Sequence, residues 1–377
     1  MKQTIIILTH FNDAVKPNYA PYVHNHAMAL SKLGYNVIVL VSIPIKSNTI
    51  FKSFSTEVIN GVKIVYFKRL GFSNFLYKSK INLNAISYYL GCKNIIEKIF
   101  KENNVVAIDA HTFKTEGVVA SKLKRKYNTS TFVTLHGTSF ERNLHFKNGI
   151  CSIRKVASSV DYMICVSEKL EKKLLDLGIN NTKVIYNGAN QYDYSRDNNN
   201  FNIITVGYFT RVKNFDIVIR AFAKVIKRFP MAKLTIIGDG VLSNELKTLV
   251  YDLKVENFVK FTGVLDNRGV NRLLSKSNIF VLPSSPEGFG IAYVEAMNNG
   301  CIVIGTKNEG IDGFVKNGVN GFLTNVDVNE ISDRIIDIFN NKYDDIRDKG
   351  YKDARSLTWE NNAKKYIELF GECYEKW

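Results

Sequence analysis

Two α/β domains, each a doubly wound parallel sheet, facing a central cleft, are expected for this chain of 377 residues. Three observations predict them. The length suits about two domains of roughly 100–200 residues each. Short β-branched runs alternate with helix-length segments along the whole chain. The polar stretch Gln191–Asn200 breaks that alternation once, just past the place where a linker would fall.

In the first half, Thr4–Leu8 reads as a buried strand and Tyr22–Leu33 as a helix stopped by Gly34. Further strands are expected at Val37–Val41, Val62–Phe67, Val105–Ile108, Thr131–Leu135 and Tyr162–Val166. Helices Asn82–Lys101, Gly117–Lys126 and Ser167–Leu177 lie between them. In the second half the expected strands are Asn202–Val206, Lys233–Ile237, Phe258–Phe261, Ile279–Leu282 and Ile302–Ile304. They alternate with helices Asp216–Phe229, Ser243–Leu253, Asn267–Ser275 and Ile291–Asn299, and Asp327–Phe339 and Trp359–Cys373 close the chain. Such βαβ units build parallel sheets whose ligands sit beyond the carboxyl ends of the strands.

Hydrophobic residues make up 45% and charged residues 23%, which suits globular domains and excludes a disordered or collagen-like chain. No apolar run approaches the roughly 18 residues of a membrane span, and Thr4–Leu8 is too short for a signal-peptide core. The five cysteines are scattered without C-x-x-C spacing, which favours a reducing cytoplasm over disulfides or a zinc site. The net charge of +16 points to an anionic partner: nucleic acid, an anionic membrane surface or a phosphorylated substrate. Residues 1–185 carry 26 Lys and Arg against 11 Asp and Glu, whereas the remainder carries 25 against 24. All six histidines also lie in the first half, so the second has none to offer as a general base.

The densest chemical signal is Pro283-Ser-Ser-Pro-Glu287-Gly288-Phe289-Gly290-Ile-Ala-Tyr-Val-Glu295, which leaves a strand and opens a helix. Glycines there let backbone amides approach a ligand, and the helix N-terminus favours a diphosphate. Glu287 on the loop and Glu295 in the helix fit the two ends of a nucleotide-sugar. In isolation they are equally well read as a helix-start acid and a solvated helix acid.

With its flanking segments this element resembles the retaining glycosyltransferases of family 4, of GT-B fold, over nearly the whole chain. Supporting segments are Ile236-Ile-Gly238-Asp-Gly240, Phe261-Thr-Gly263, Asn317-Gly-Val-Asn-Gly-Phe-Leu, Asp109-Ala-His111 and Thr134-Leu-His136-Gly. The resemblance implies a Rossmann-like acceptor domain (1–186), a Rossmann-like nucleotide-sugar domain (187–356) and a terminal helix crossing back (357–377). It places Lys213 and Arg211 on the donor diphosphate and His136 near the transferred sugar. Glu287 is placed on sugar hydroxyls and Glu295 on the ribose. Gly288, Phe289, Gly290, Gly207, Gly238, Gly240 and Gly263 are placed around the donor. The chain departs from the pattern in three places. The family's Arg precedes the Lys by five positions, where Tyr208 stands here; Glu309-Gly310-Ile-Asp312 lacks the usual paired glycines; and the loop at Lys16–Pro21 is altered.

The reaction so implied moves a hexosyl unit from a nucleoside diphosphate sugar, UDP being the prior, to a hydroxyl with retention. It uses no cofactor and no metal. On the acceptor or membrane side stand His111, Lys68, Arg69, Phe72, Phe75, Lys124 and Arg125. Interleaved aromatics and cations in Val65–Lys80 and Lys122–Lys126 suit an anionic membrane surface beside a polyprenyl-diphosphate-linked glycan acceptor. The expected place is peripheral, at the cytoplasmic face of a bacterial membrane, in surface polysaccharide synthesis, with no nucleic acid. Alternatives are a transferase with a soluble acceptor and, remotely, a basic nucleic-acid-binding protein, which leaves the Glu287–Glu295 element unexplained.

Overall fold

A computed structural model describes residues 2–12, 19–45, 54–72, 82–191, 201–341 and 343–374. The chain groups into two compact units. Met1–Val166, Leu170–Gly188 and the segment from Trp359 onward form the first; Ser167–Lys169 and Ala189–Thr358 form the second.

The first unit runs β1 (Gln3–His10), α1 (Pro21–Lys32), β2 (Asn36–Pro44), β3 (Phe54–Ile59), β4 (Val62–Arg69), α2 (Leu83–Glu102) and β5 (Asn104–Ala110). After a π-helical turn, Phe113–Gly117, follow α3 (Val118–Tyr127), β6 (Ser130–Leu135), α4 (Thr138–Leu144), α5 (Lys147–Ala157), β7 (Tyr162–Cys165), α6 (Glu168–Leu175) and β8 (Thr182–Val184). The strand order is β3-β4-β2-β1-β5-β6-β7-β8. Thr4–Leu8 is wholly buried, as a central strand covered on both faces requires.

The sheet is parallel as expected except at its edge, where β3 pairs antiparallel with β4. Its turn is Asn60-Gly61, with φ of 50° and 81°, the left-handed pair that a two-residue hairpin demands.

The second unit runs β9 (Asn202–Val206), a 3₁₀ turn at Arg211–Lys213, α7 (Phe215–Arg228), β10 (Lys233–Ile237), α8 (Ser243–Asp252), β11 (Val259–Phe261) and α9 (Asn267–Leu274). Then come β12 (Ile279–Val281), α10 (Ile291–Asn298), β13 (Ile302–Thr306), β14 (Phe322–Thr324), α11 (Val328–Asn341) and α12 (Asp344–Arg355). Helix α7 buries Phe215, Val218, Ile219, Phe222 and Val225, a stripe at helical spacing, and packs beside α11. All strands are parallel, in the order β11-β10-β9-β12-β13-β14. The order reverses between β9 and β12, and such a switch point opens a ligand crevice beyond the strand ends.

Helix α13 (Trp359–Tyr374) belongs to the first unit, where Ala363, Tyr366, Leu369, Phe370 and Cys373 join the core beside β1 and α1. Among the described residues, no helix is long and apolar enough to cross a membrane.

Candidate active site

The loops after β9 and β12 flank the switch point, and they are stitched together. The Ser285 amide donates to the Val212 carbonyl at 2.8 Å. The Asn214 side-chain amide donates to the Pro283 carbonyl at 2.7 Å. Asn214 has φ of 51°, a left-handed geometry that asparagine tolerates better than most residues, and this turns the chain from the 3₁₀ turn into α7. The stitching places Lys213 Nζ 2.5 Å from Glu287 Oε2, both side chains partly shielded from solvent. Gly290, with φ of 85°, turns the second loop into α10; a Cβ there would lie 2.6 Å from the Tyr293 ring.

Glu309, in the segment that departs from the family pattern and outside the expected site, anchors this loop. Its carboxylate accepts from the Glu287 amide at 2.7 Å and from the Ser285 hydroxyl at 2.8 Å, and pairs with Lys169 at 2.5 Å. The neighbouring Gly310 lies so close that a Cβ on it would fall 2.2 Å from the Gly288 carbonyl oxygen. The signal available in the sequence was the acid–glycine pair just past a strand end.

Glu295 occupies the fifth position of α10, and burial pushes its carboxyl up to about 7. Near neutral pH the carboxyl is therefore partly protonated in the free protein, and binding hydroxyls as a carboxylate would require that proton to leave. If Glu295 accepts from a ribose, donor affinity is expected to rise about tenfold between pH 6 and pH 8, and Glu295→Gln to flatten that rise. Isothermal titration across pH checks it. For stability the sign is opposite. Between the ordinary carboxylate value and about 7 the unfolded chain loses this proton first, so stability falls through that window as pH rises.

The glycines expected around the donor serve backbone packing first. A Cβ on Gly238 (φ 130°) would lie 1.9 Å from the Gly207 carbonyl, and one on Gly240 would lie 2.6 Å from the Phe209 amide nitrogen. Gly263 accepts at its carbonyl from the Gly238 amide at 3.0 Å. These four glycines thus draw the ends of β9, β10 and β11 together. Gly288 donates its amide to Glu287 Oε1 at 3.1 Å, and the Phe289 ring is buried. Arg211 stands apart, its exposed guanidinium held by both oxygens of Glu245 at 2.6 and 2.8 Å. Any contact of Arg211 with a diphosphate would have to use its remaining N–H groups or open that pair. Tyr208, in the family's arginine position, is 61% exposed.

In the first unit, His111 Nδ1 lies 2.8 Å from His136 Nε2, and the two rings are stacked. The Tyr22 ring covers His136 at 4.2 Å. Burial, with the charge of His111 beside it, pushes the His136 imidazole well below its usual range. Arg69 is tied to Ser42 and Asn84, and Lys124 pairs with Asp161, so both are engaged within the fold. Phe72 and Arg125 line a groove of about 610 Å³ bounded by α2, α3 and α5. Lys68 is half-buried at the end of β4. Phe75 and residues 16–18 of the altered loop lie outside the described residues.

A family model described as glycosyl transferases group 1 matches residues 189–357, and one described as glycosyltransferase family 4 matches residues 20–191. An uncharacterized glycosyltransferase of Methanocaldococcus jannaschii is 29% identical over 298 residues, 76% of this chain and 81% of its own length. The N-acetyl-α-D-glucosaminyl L-malate synthase of Bacillus anthracis is 30% identical over 173 residues, 46% of this chain and 44% of its own. Among solved structures, Anabaena HepE in complex with UDP aligns with a TM-score of 0.75 at 20% identity, covering 99% of this chain and 100% of that one. The fold with its six-stranded switch point is thus that of the GT-B enzymes, and the chain belongs to the glycosyltransferases, its first half to family 4 and its second to group 1.

Proposed function

We propose that the chain moves a hexose or N-acetylhexosamine, with retention, from a nucleoside diphosphate sugar to a hydroxyl of a lipid-linked glycan at a membrane surface. The observation that carries the donor half is the Lys213–Glu287 pair at the switch point of the second sheet. An ammonium beside the N-terminus of α10 suits a leaving diphosphate, whose growing charge Lys213 and the Phe289 and Gly290 amides would stabilise without a cofactor. Glu287, released from Lys213 when the phosphates arrive, is free to accept hydrogen bonds from sugar hydroxyls. Glu295 holds the ribose, and His136 contributes from the first domain near the sugar. Attack comes from the face the diphosphate leaves, and a phosphate oxygen takes the acceptor proton. That UDP is bound by HepE supports UDP as the donor nucleotide.

The acceptor half rests on the basic domain. The groove on its surface has an apolar floor that includes Leu83 and Val118, and a rim that includes Lys122, Arg125 and Lys155. Ile86 and Leu90, one helical turn apart on α2, are 49% and 66% exposed beside it. Exposed aliphatic side chains ringed by cations suit an interface with acyl chains and anionic headgroups. The protein is therefore assigned to the cytoplasmic face of the membrane, serving surface polysaccharide synthesis. In vesicle sedimentation, binding is expected to anionic but not to neutral vesicles and to fall with salt. Lys122→Ala/Arg125→Ala should weaken it about thirtyfold, at roughly 1 kcal/mol per cation. Equal, salt-insensitive binding to both vesicle types contradicts the membrane assignment. That result would favour the second reading, a soluble acceptor, to which the malate-acceptor name of the Bacillus anthracis relative lends support.

A further inference from the structure

Behind His136 the first unit gathers three ligand-type side chains that the proposed transfer does not use. His26 comes from α1, Asp109 from β5 and His111 from the residue after it, and all three are buried. Asp109 Oδ2 lies 3.1 Å from His111 Nε2 and 3.7 Å from His26 Nε2, and the three atoms all lie within 4.8 Å of one another. Each is shielded from solvent, and none makes a hydrogen bond. At 3.1 Å the His111 imidazole and the Asp109 carboxylate are within ion-pair distance but are poorly aligned for a hydrogen bond.

The opposite atom of each group is already taken. Asn362 on α13 donates its amide nitrogen to the Tyr186 carbonyl at 2.9 Å, which turns its oxygen to His26 Nδ1 at 2.7 Å. That oxygen only accepts, so His26 Nδ1 carries the proton and Nε2 of the neutral ring presents a bare lone pair. Asp109 Oδ1 accepts from the Thr134 hydroxyl at 2.8 Å, and Thr134 meets the Tyr366 hydroxyl at 2.9 Å. His111 Nδ1 meets His136 Nε2 at 2.8 Å. A lone pair and a carboxylate oxygen facing each other in a buried site repel unless a cation joins them. Imidazoles that bind metal characteristically donate their second ring N–H to such an outer partner.

We propose that His26, Asp109 and His111 form a buried site for one divalent transition-metal ion, with zinc the best match and water as the fourth ligand. Two imidazoles and one carboxylate are a zinc donor set. Ligand atoms about 2.0–2.1 Å from a tetrahedral zinc stand roughly 3.3 Å apart, between the two separations found here. The ion would tie α1 to the end of β5 and, through Asn362, Thr134 and Tyr366, to α13. Through His111 it would fix the orientation of His136. The site is built from residues of the first unit alone and does not depend on the donor reading.

The test uses the full chain, stripped with a chelator and then titrated with Co²⁺ and Zn²⁺. One equivalent of Co²⁺ is expected to bind with ligand-field absorption in the visible. Saturating Zn²⁺ should displace it and raise the melting temperature by about 5 °C or more. His26→Gln and the isosteric Asp109→Asn should each lose the absorption and the shift while keeping wild-type circular dichroism. Three results would overturn the proposal: uptake below about a tenth of an equivalent by the wild-type chain, unchanged uptake in a folded His26→Gln protein, or stability that follows pH but not metal. The first stands even if neither variant folds.

Discussion

Lys213→Ala is expected to lower kcat for glycosyl transfer at least about a hundredfold, a loss of roughly 2–3 kcal/mol of transition-state stabilisation. The structure holds this ammonium directly against Glu287, at the carboxyl ends of β9 and β12. A leaving diphosphate gains charge as the glycosidic bond breaks, so a fixed cation there acts more strongly on the transition state than on the bound donor. The pair itself complicates the single variant, since removing Lys213 leaves the Glu287 carboxylate without its partner. A double-mutant cycle separates the two effects. Were the pair only a structural ion pair, Lys213→Ala/Glu287→Ala would recover most of the lost turnover. With both residues on the donor, the double variant stays at or below the slower single variant. Steady-state kinetics read the cycle, and thermal melting shows that the second domain remains folded.

Glu309→Ala is expected to cost a similar factor in kcat without removing any group that touches the donor. One carboxylate fixes the Glu287 amide and the Ser285 hydroxyl, and hydrogen bonds to a charged acceptor contribute about 1.5–3 kcal/mol each. Without them the loop that aims Glu287 loses its anchor, and a displacement of about 1 Å at a catalytic group costs on the order of a hundredfold. Glu309→Gln keeps an acceptor oxygen and should fall between the wild type and Glu309→Ala. Wild-type turnover in Glu309→Ala, with the protein folded, would show that the loop is held by Gly310 packing and the Val212 contact alone.

What the sequence made legible was local. The alternation of buried runs and helices placed five of the six strands of the second sheet within a residue or two, because a doubly covered strand has little choice but to be apolar throughout, and it missed the three-residue β14. The Glu287–Glu295 spacing was readable because both residues belong to one loop–helix segment. The missed features depend on tertiary approach. Glu309 acts on a loop that precedes it by more than twenty residues, so the acid–glycine pair beside it gains its meaning only once that loop has folded back onto it. Arg211 looked available until α8 supplied Glu245. Helix α12 buries only Ile346, Arg347, Gly350 and Ala354 in an otherwise charged segment, so it carried no apolar stripe to find. The hairpin of β3 and β4 did have a local signature in Asn60-Gly61, which the strand–helix alternation overshadowed. The cluster of His26, Asp109 and His111 is assembled from α1 and β5 and oriented by α13, and no spacing along the chain announces it.

On the function proposed, the second domain binds a nucleoside diphosphate sugar between Lys213, Glu287 and Glu295. Isothermal titration of the wild-type chain, Glu295→Gln and Glu287→Gln tests it most directly, using whichever of UDP, GDP and ADP binds tightest together with its glucose conjugate. Glu295→Gln should weaken the nucleotide and the nucleotide-sugar about equally, by tenfold or more at pH 8. Glu287→Gln should weaken the nucleotide-sugar and leave the bare nucleotide near its wild-type affinity. Wild-type affinity for both ligands in both variants would contradict the proposed donor site.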